Sequence, residues 1–146
     1  MATQKDLDRV YLSICKVVST LSHARRASVG ALVVKGTHII AEGFNGTPSG
    51  MDNRCEIGGV TKPSVIHAEM NCILKLAKST QSALGGTLYV TMSPCVECAK
   101  AIIQSGITRV VFSDGYRDPS GILLLKEANV TIERSGFHQP GDWWEG

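Results

Sequence analysis

The strongest constraint on the fold is the alternation of apolar runs with helical segments in the second half of the chain. The stretches "TLYVTM" (87–92), "RVVFSD" (109–114) and "VTIER" (130–134) are typical of strands. Helical patterns lie between them over residues 95–105 and 119–129. Because a strand that returns through a helix pairs in parallel with a right-handed crossover, this half predicts three parallel strands covered by helices.

The first half of the chain predicts a helix, a hairpin and a second helix. Apolar residues recur at helical spacing over residues 5–22, and a second helical pattern covers residues 66–77. Between them, residues 30–34 and 38–44 are β-rich and are separated by a turn at 35–37. We therefore expect an α/β fold, a single-domain three-layer α/β/α sandwich built on a mixed five-stranded sheet.

Length and composition fit one globular domain. The chain has 146 residues, of which 43% are hydrophobic and 19% are charged, and this suffices for one core. We expect a folded domain over residues 1–136, with a Gly- and Pro-rich loop at 46–62, and a tail over residues 137–146. Trp143 and Trp144 in the tail could cap a subunit interface, fold over a site or pack within the monomer.

Charge and hydropathy exclude two classes of partner. The net charge of +2, from 15 basic and 13 acidic residues, offers no basic face of the kind that duplex nucleic acid requires. No apolar run reaches membrane-spanning length, and charges interrupt the N-terminal segment, so a signal peptide is not expected. We expect no nucleic-acid or membrane partner, whereas a small anionic ligand needs only one or two cations.

The cysteines indicate a reducing compartment. The five cysteines are Cys15, Cys55, Cys72, Cys95 and Cys98. Their odd number and scattered positions argue against a disulfide scaffold. We therefore expect a cytoplasmic protein.

The stretch "SPCVECAK" (93–100) places two cysteines at the start of a predicted helix. Cys95 and Cys98 are three residues apart and share one helix face. The free N–H groups and the dipole of a helix N-terminus favour thiolates over thiols. Both a redox dithiol and a zinc ligand pair need this environment, so the pair alone leaves both functions open.

A second stretch, "VIHAEMNC" (65–72), favours zinc. His67 and Glu69 form His-x-Glu, and with the downstream Pro-Cys-x-x-Cys this is the signature of zinc-dependent deaminases. His67, Cys95 and Cys98 supply three protein ligands and leave the fourth position to water, as in catalytic zinc sites. Cys55, in the loop, is the alternative fourth ligand.

The charges of this group favour hydrolysis of an amidine. Two thiolates make a zinc site formally neutral, and helix N-termini add positive potential. Glu69 can take the proton of the attacking water, protonate a ring nitrogen and then the leaving amine, which yields an oxo base and ammonia. Alternatively, Glu69 is a first-turn residue favoured by the helix dipole, and the chain is a zinc-stabilised binding module or a redox protein.

Three stretches together resemble the deoxycytidylate (dCMP) deaminase family: "HAEMN" (67–71), "SPCVECAK" (93–100) and "GFNGTPSG" (43–50). The likeness extends from about residue 26 to about residue 132. It implies a cytidine deaminase-like fold and hydrolysis of dCMP to dUMP, which supplies thymidylate synthesis, with one catalytic Zn²⁺ per subunit. The rivals within enzymes are a tRNA adenosine deaminase, a nucleoside deaminase and a deaminase of riboflavin synthesis.

The resemblance also implies substrate contacts. We expect them at Arg26, Asn45, Ala68 and Tyr116, of which Asn45 and Tyr116 match family residues. A nucleotide also needs a phosphate anchor, and Arg26 is the first candidate because its fork of N–H donors suits phosphate. The weaker candidates are Arg25, Arg54, Lys62 and Arg117. Asn45 matches a residue that contacts the sugar, although an Asn-Gly pair can also be a simple turn.

Regulation and assembly are implied by the resemblance alone. Many members are homohexamers that dCTP activates and dTTP inhibits, with Mg²⁺ accompanying the nucleotide. The motif associated with this regulation corresponds to Gly43, Phe44, Asn45 and Gly46, with Phe44 where tyrosine is common. Some members hold a second zinc near the position of Cys55, but the insert is short here and lacks nearby histidines, so we expect one zinc.

Overall fold

The helices and strands follow the predicted order, with one additional pair of short strands between the hairpin and the second helix. The computed structural model describes residues 2–137. The helices are α1 (Gln4–Ser19), α2 (Ala68–Ala77), α3 (Val96–Gln104) and α4 (Ser120–Glu127). The strands are β1 (Gly30–Lys35), β2 (His38–Phe44), β3 (Glu56–Ile57), β4 (Val60–Thr61), β5 (Thr87–Met92), β6 (Arg109–Asp114) and β7 (Thr131–Arg134).

The main sheet has five strands in the order β2-β1-β5-β6-β7. β1 pairs antiparallel with both β2 and β5, whereas β5, β6 and β7 are parallel. This mixed sheet confirms the predicted fold class. The hairpin supplies the antiparallel part, and the strand–helix alternation supplies the parallel part.

The loop predicted over residues 46–62 contains a small hairpin, β3 and β4, which pair only with each other. Gly58 and Gly59 form its turn with φ of 59° and 78°. Glycine adopts this left-handed region without steric cost. The prediction of an irregular loop was wrong at this point, because two-residue strands are too short to show a period in the sequence.

Side chains of the central strands alternate between two apolar layers. Ala31 and Val33 of β1 pack towards α2, α3 and α4, whereas Leu32 and Val34 pack towards α1. β5 and β6 alternate in the same way, so the sheet is buried on both faces. The near-continuous apolar sequence of these strands follows from this burial.

A buried ion pair fixes α1 on the sheet. The carboxylate of Asp8 accepts hydrogen bonds from Arg109 Nη2 at 2.6 Å and from the Tyr89 hydroxyl at 2.7 Å. Burial by itself would raise the pKa of Asp8, but hydrogen bonds from Arg109, Tyr89 and Gln4 hold it below its usual value. Asp8 thus stabilises the fold above its unfolded-state pKa, and this contribution is lost as pH falls through the lower folded pKa.

The end of the described chain packs on the same layer as α1. Phe137, which the sequence assigned to the tail, lies against the α1 cluster, and Lys16 Nζ is 6.0 Å from its ring centroid. Trp143 and Trp144 lie outside the described residues. Across residues 2–137, no helix combines the length and apolar character needed to cross a membrane.

Gly43 sets the distance between β2 and α2. A Cβ at this position would lie 2.6 Å from the carbonyl oxygen of Ala68 and 3.0 Å from the amide nitrogen of Cys72. Both atoms are backbone atoms and cannot rotate away. The close approach of strand and helix therefore requires glycine, and it places the start of α2 beside the sheet.

We predict that Gly43→Ala lowers the free energy of unfolding by about 1–3 kcal/mol, the usual cost of overpacking a core. Gly136→Ala is the matched control, because a Cβ at Gly136 would meet no heavy atom within 4 Å. It should change the free energy by no more than about 0.5 kcal/mol. Urea denaturation of the three proteins measures both effects, and equal losses in the two variants would contradict the packing argument.

Candidate active site

One imidazole and two thiols converge at the carboxyl end of β5. His67 Nδ1 lies 3.5 Å from Cys95 Sγ and 3.4 Å from Cys98 Sγ, and the three atoms all lie within 4.8 Å of one another. A tetrahedral zinc ion with its usual bond lengths to sulfur and nitrogen separates such ligand atoms by about 3.6 Å. The residues present therefore fit zinc.

Helix ends bring these three side chains together. His67 is the N-cap of α2 and Cys95 is the N-cap of α3, and both have extended backbone conformations. Neither side chain makes a capping hydrogen bond, so each can turn towards the other. Cys98 follows in the first turn of α3. The positive ends of two helix dipoles meet here and favour thiolates.

Hydrogen bonds among His67, Cys95 and Cys98 shift the pKa values of the two thiols in opposite directions. The hydrogen bond from Cys98, and then that from His67, lowers the pKa of Cys95 to about 3. The hydrogen bond with Cys95, and then burial, raises the pKa of Cys98 far above its usual value. The hydrogen bond with Cys95 raises the pKa of His67. Since zinc binds thiolates and neutral imidazole, its binding here would release protons.

Glu69 lies beside this group and is almost fully buried, with 4% of its surface exposed. Burial raises its pKa to about 7, although its own backbone N–H and the charge of His67 act in the opposite direction. The Cys98 side chain also acts to lower this pKa. A carboxyl group with a pKa close to neutrality can both accept and return a proton.

A pocket of about 440 Å³ opens onto the group. This volume falls in the range of small-molecule sites. Every residue to which the sequence assigned a catalytic or substrate-binding role lines it, together with two of the three metal ligands: Arg26, Asn45, His67, Ala68, Glu69, Cys95 and Tyr116. The third ligand, Cys98, is buried and is not among the residues that line the pocket. The structure thus gathers into one cavity residues that are up to 90 positions apart in the sequence.

Residues 5–114 match the family described as "Cytidine and deoxycytidylate deaminase zinc-binding region". The chain belongs to this family. The match spans both ligand-bearing stretches and most of the sheet, so the predicted family resemblance is confirmed.

The chain is also similar in sequence and structure to named proteins, among them two dCMP deaminases. The chain is 32% identical to the deoxycytidylate deaminase of Enterobacteria phage T2, over 92% of this chain and 93% of that protein. It is 34% identical to ComE operon protein 2 of Bacillus subtilis (strain 168), over 87% of this chain and 70% of that protein. The crystal structure of dCMP deaminase from the cyanophage S-TIM5, in complex with dCMP and dUMP, superposes with a TM-score of 0.88 and 40% identity. That superposition covers 91% of this chain and 99% of the phage chain.

One wall of the deaminase pocket is held by Glu56, a residue that no sequence motif indicated. Its carboxylate accepts hydrogen bonds from the backbone N–H groups of Arg25, at 3.1 and 3.2 Å, and Arg26, at 3.3 Å. Glu56 lies on β3, and the β3–β4 hairpin is what brings its carboxylate to the backbone of residues 25 and 26. The contact fixes the backbone of Arg26, whose exposed side chain lines the pocket together with Arg117.

Asn45 holds the neighbouring backbone with both ends of its side chain. Its Oδ1 accepts from the N–H of Val29 at 2.9 Å, and its Nδ2 donates to the carbonyl of Ala27 at 2.8 Å. A carboxamide has a second N–H and further acceptor capacity. The predicted contact with substrate is thus compatible with this structural role and stays a prediction.

The other residues of the motif assigned to regulation have structural contacts. Gly43 packs against α2, as described above, and the carbonyl of Phe44 accepts from Asn71 Nδ2 at 2.8 Å. Gly46 exchanges two backbone hydrogen bonds with Ile66, just before His67. The motif therefore supports the start of α2, whatever its part in regulation.

Cys55 lies near the metal group without joining it. Its side chain is buried and lines the pocket, but its thiol donates to the carbonyl of Asn53 at 3.5 Å. Only His67, Cys95 and Cys98 meet the ligand-distance criterion as a group of three within residues 2–137. The structure therefore leaves Cys55 outside the ligand set.

We predict that the purified protein carries about one zinc ion per chain, and that Cys98→Ala reduces this content to nearly zero, since two protein ligands remain. Cys55→Ala removes a buried thiol of the same pocket and should keep the metal. Elemental analysis of the three proteins measures the content. Retention of full zinc by Cys98→Ala would contradict the assignment of the ligands.

Proposed function

We propose that the chain catalyses the hydrolytic deamination of dCMP to dUMP and ammonia, and so supplies dUMP for thymidylate synthesis. The observation that supports this most directly is the buried Glu69 beside a zinc-fitting His67, Cys95 and Cys98 group at the wall of a nucleotide-sized pocket. The 40% identity to a phage enzyme crystallised with dCMP and dUMP supports the choice of substrate.

The metal group defines the reacting end of the pocket. His67, Cys95 and Cys98 would hold Zn²⁺, and the bound ion supplies Lewis-acid activation of the water used in hydrolysis. The two helix N-termini offset part of the negative charge that the thiolates bring. The reacting carbon of the base belongs at this end, within reach of Glu69.

Glu69 moves the protons of the reaction. As a carboxylate, it takes a proton from the attacking water and passes it to the ring nitrogen next to the reacting carbon. It then takes the remaining proton of the added hydroxyl, which becomes the carbonyl of the product, and delivers it to the exocyclic amino group, which leaves as ammonia. Its burial keeps competing solvent away, and its raised pKa of about 7 matches a group that must give and take a proton at neutral pH.

Four other residues that line the pocket orient the nucleotide in this proposal. Ala68 opens α2, where the first N–H groups have no partner within the helix, so its N–H can donate to the base carbonyl. In this proposal Asn45 binds the sugar through the remaining capacity of its carboxamide, and Tyr116 lines the pocket with 43% of its surface exposed. Arg26 provides the cation for the 5′-phosphate.

We expect ultraviolet-monitored assays to show dCMP as the preferred substrate among dCMP, deoxycytidine, CMP, dCTP and tRNA. The kcat/KM for deoxycytidine, which lacks the phosphate, should be lower than that for dCMP by about tenfold or more, because a charge-assisted bond to Arg26 is lost. Faster turnover of deoxycytidine would instead identify a nucleoside deaminase, and inosine formation in tRNA would identify a tRNA adenosine deaminase.

We predict that Glu69→Gln keeps zinc and lowers kcat by about a hundred- to ten-thousand-fold, because the amide cannot carry the proton. Glu97→Gln is the matched control, since Glu97 is also a first-turn glutamate, on α3, but is exposed and pairs with Lys100 at 2.9 Å. It should retain normal turnover. Rates of dCMP deamination at saturating substrate measure both variants, and an active Glu69→Gln would exclude the mechanism.

The regulatory implications of the resemblance stay predictions for this chain. They are activation by dCTP, inhibition by dTTP with Mg²⁺, and assembly as a homo-oligomer, a hexamer in many members. Phe44 lacks the hydroxyl that is common at its position, so a contact to an effector would differ here. The cytoplasmic location likewise stays a prediction from the cysteine pattern.

A further inference from the structure

The segment of residues 115–117 forms one side of the pocket and has few ties to the fold. It follows β6, and Gly115, Tyr116 and Arg117 all line the cavity. Within residues 2–137, one hydrogen bond is found between this segment and the rest of the chain. The backbone N–H of Tyr116 donates to the hydroxyl of Ser93 at 2.6 Å.

Ser93 lies where the metal site and the sheet meet. It follows β5 and comes two residues before Cys95. Its side chain lines the pocket, although only 4% of the residue is exposed, and its own N–H donates to the carbonyl of Asp114 at 2.8 Å. One bond of Ser93 thus extends the pairing of β5 and β6, and the other reaches into the segment beyond β6.

From this geometry we infer that Ser93 is a positioning residue, whose hydroxyl holds Tyr116 at the pocket for substrate binding. The inference rests on the proposed function. A segment with one anchoring bond gains conformational freedom when that bond is lost, and each binding event must then restore the order. Loss of the hydroxyl therefore weakens substrate binding, whereas the chemistry at Glu69 is left in place.

The test compares Ser93→Ala with Ser113→Ala. Ser113 is a matched control, because its hydroxyl is also buried and donates to the carbonyl of Thr91 at 2.7 Å, but it does not line the pocket. Ser93→Ala should raise KM for dCMP about fivefold, with kcat within about twofold and zinc retained. Ser113→Ala should leave KM unchanged. Equal KM values in the two variants would overturn the inference.

A double-mutant cycle tests whether Ser93 acts through Tyr116. In a Tyr116→Ala background, the further change Ser93→Ala should alter KM by less than about twofold, because the side chain that it positions is already absent. Independent, multiplicative effects of the two changes on KM would show that Ser93 acts by another route and would overturn the inference.

Amide hydrogen exchange on the unmodified protein keeps the test independent of variant folding. The N–H of Tyr116 should exchange at least about tenfold more slowly than those of Gly115 and Arg117, which have no hydrogen-bond acceptor within the described chain. Equal exchange rates would refute the anchoring bond. A wild-type protein that does not deaminate dCMP would instead refute the proposed function, and the exchange result would still report on the bond.

Discussion

The site depends on the meeting of two helix N-termini over one edge of the sheet. His67 and Cys95 occupy equivalent N-cap positions on α2 and α3, with side chains that make no capping bond and turn towards each other instead. The dipoles of both helices favour the negative charge that two thiolates bring. Glu69 is carried into the same place because it lies two residues after His67, inside the first turn of α2.

Backbone contacts hold these helix starts in position. Gly43 lets β2 approach α2 at a distance that no side chain would permit, and Gly121 does the same for α4. A Cβ at Gly121 would lie 2.1 Å from the carbonyl oxygen of Pro94, directly before the first cysteine of the metal group. Small residues that take no part in the chemistry therefore support the helix starts that carry the imidazole and the thiols.

Much of this arrangement could be predicted from the sequence, because it depends on the local periodicity of apolar residues and on motifs of closely spaced residues. The strands of the main sheet, the helix starts and the metal group follow from apolar alternation and from His-x-Glu and Cys-x-x-Cys spacing. The contact of Glu56 with the Arg25 backbone could not be predicted, since it joins residues 31 positions apart through a hairpin with two-residue strands. Ser93 is the first residue of the stretch SPCVECAK, but its bond to Tyr116 depends on where the chain leaves β6.

The distance along the chain between His67 and Cys95, 28 residues, has a consequence for folding. A cation held by both residues joins the hairpin half of the sheet to the parallel half and closes a loop through α2 and β5. The unfolded chain does not hold these ligands together, so the cation binds the folded state and stabilises it by mass action, unlike a covalent cross-link, which persists in the unfolded chain. The melting temperature of the protein should accordingly follow the concentration of free zinc in its surroundings.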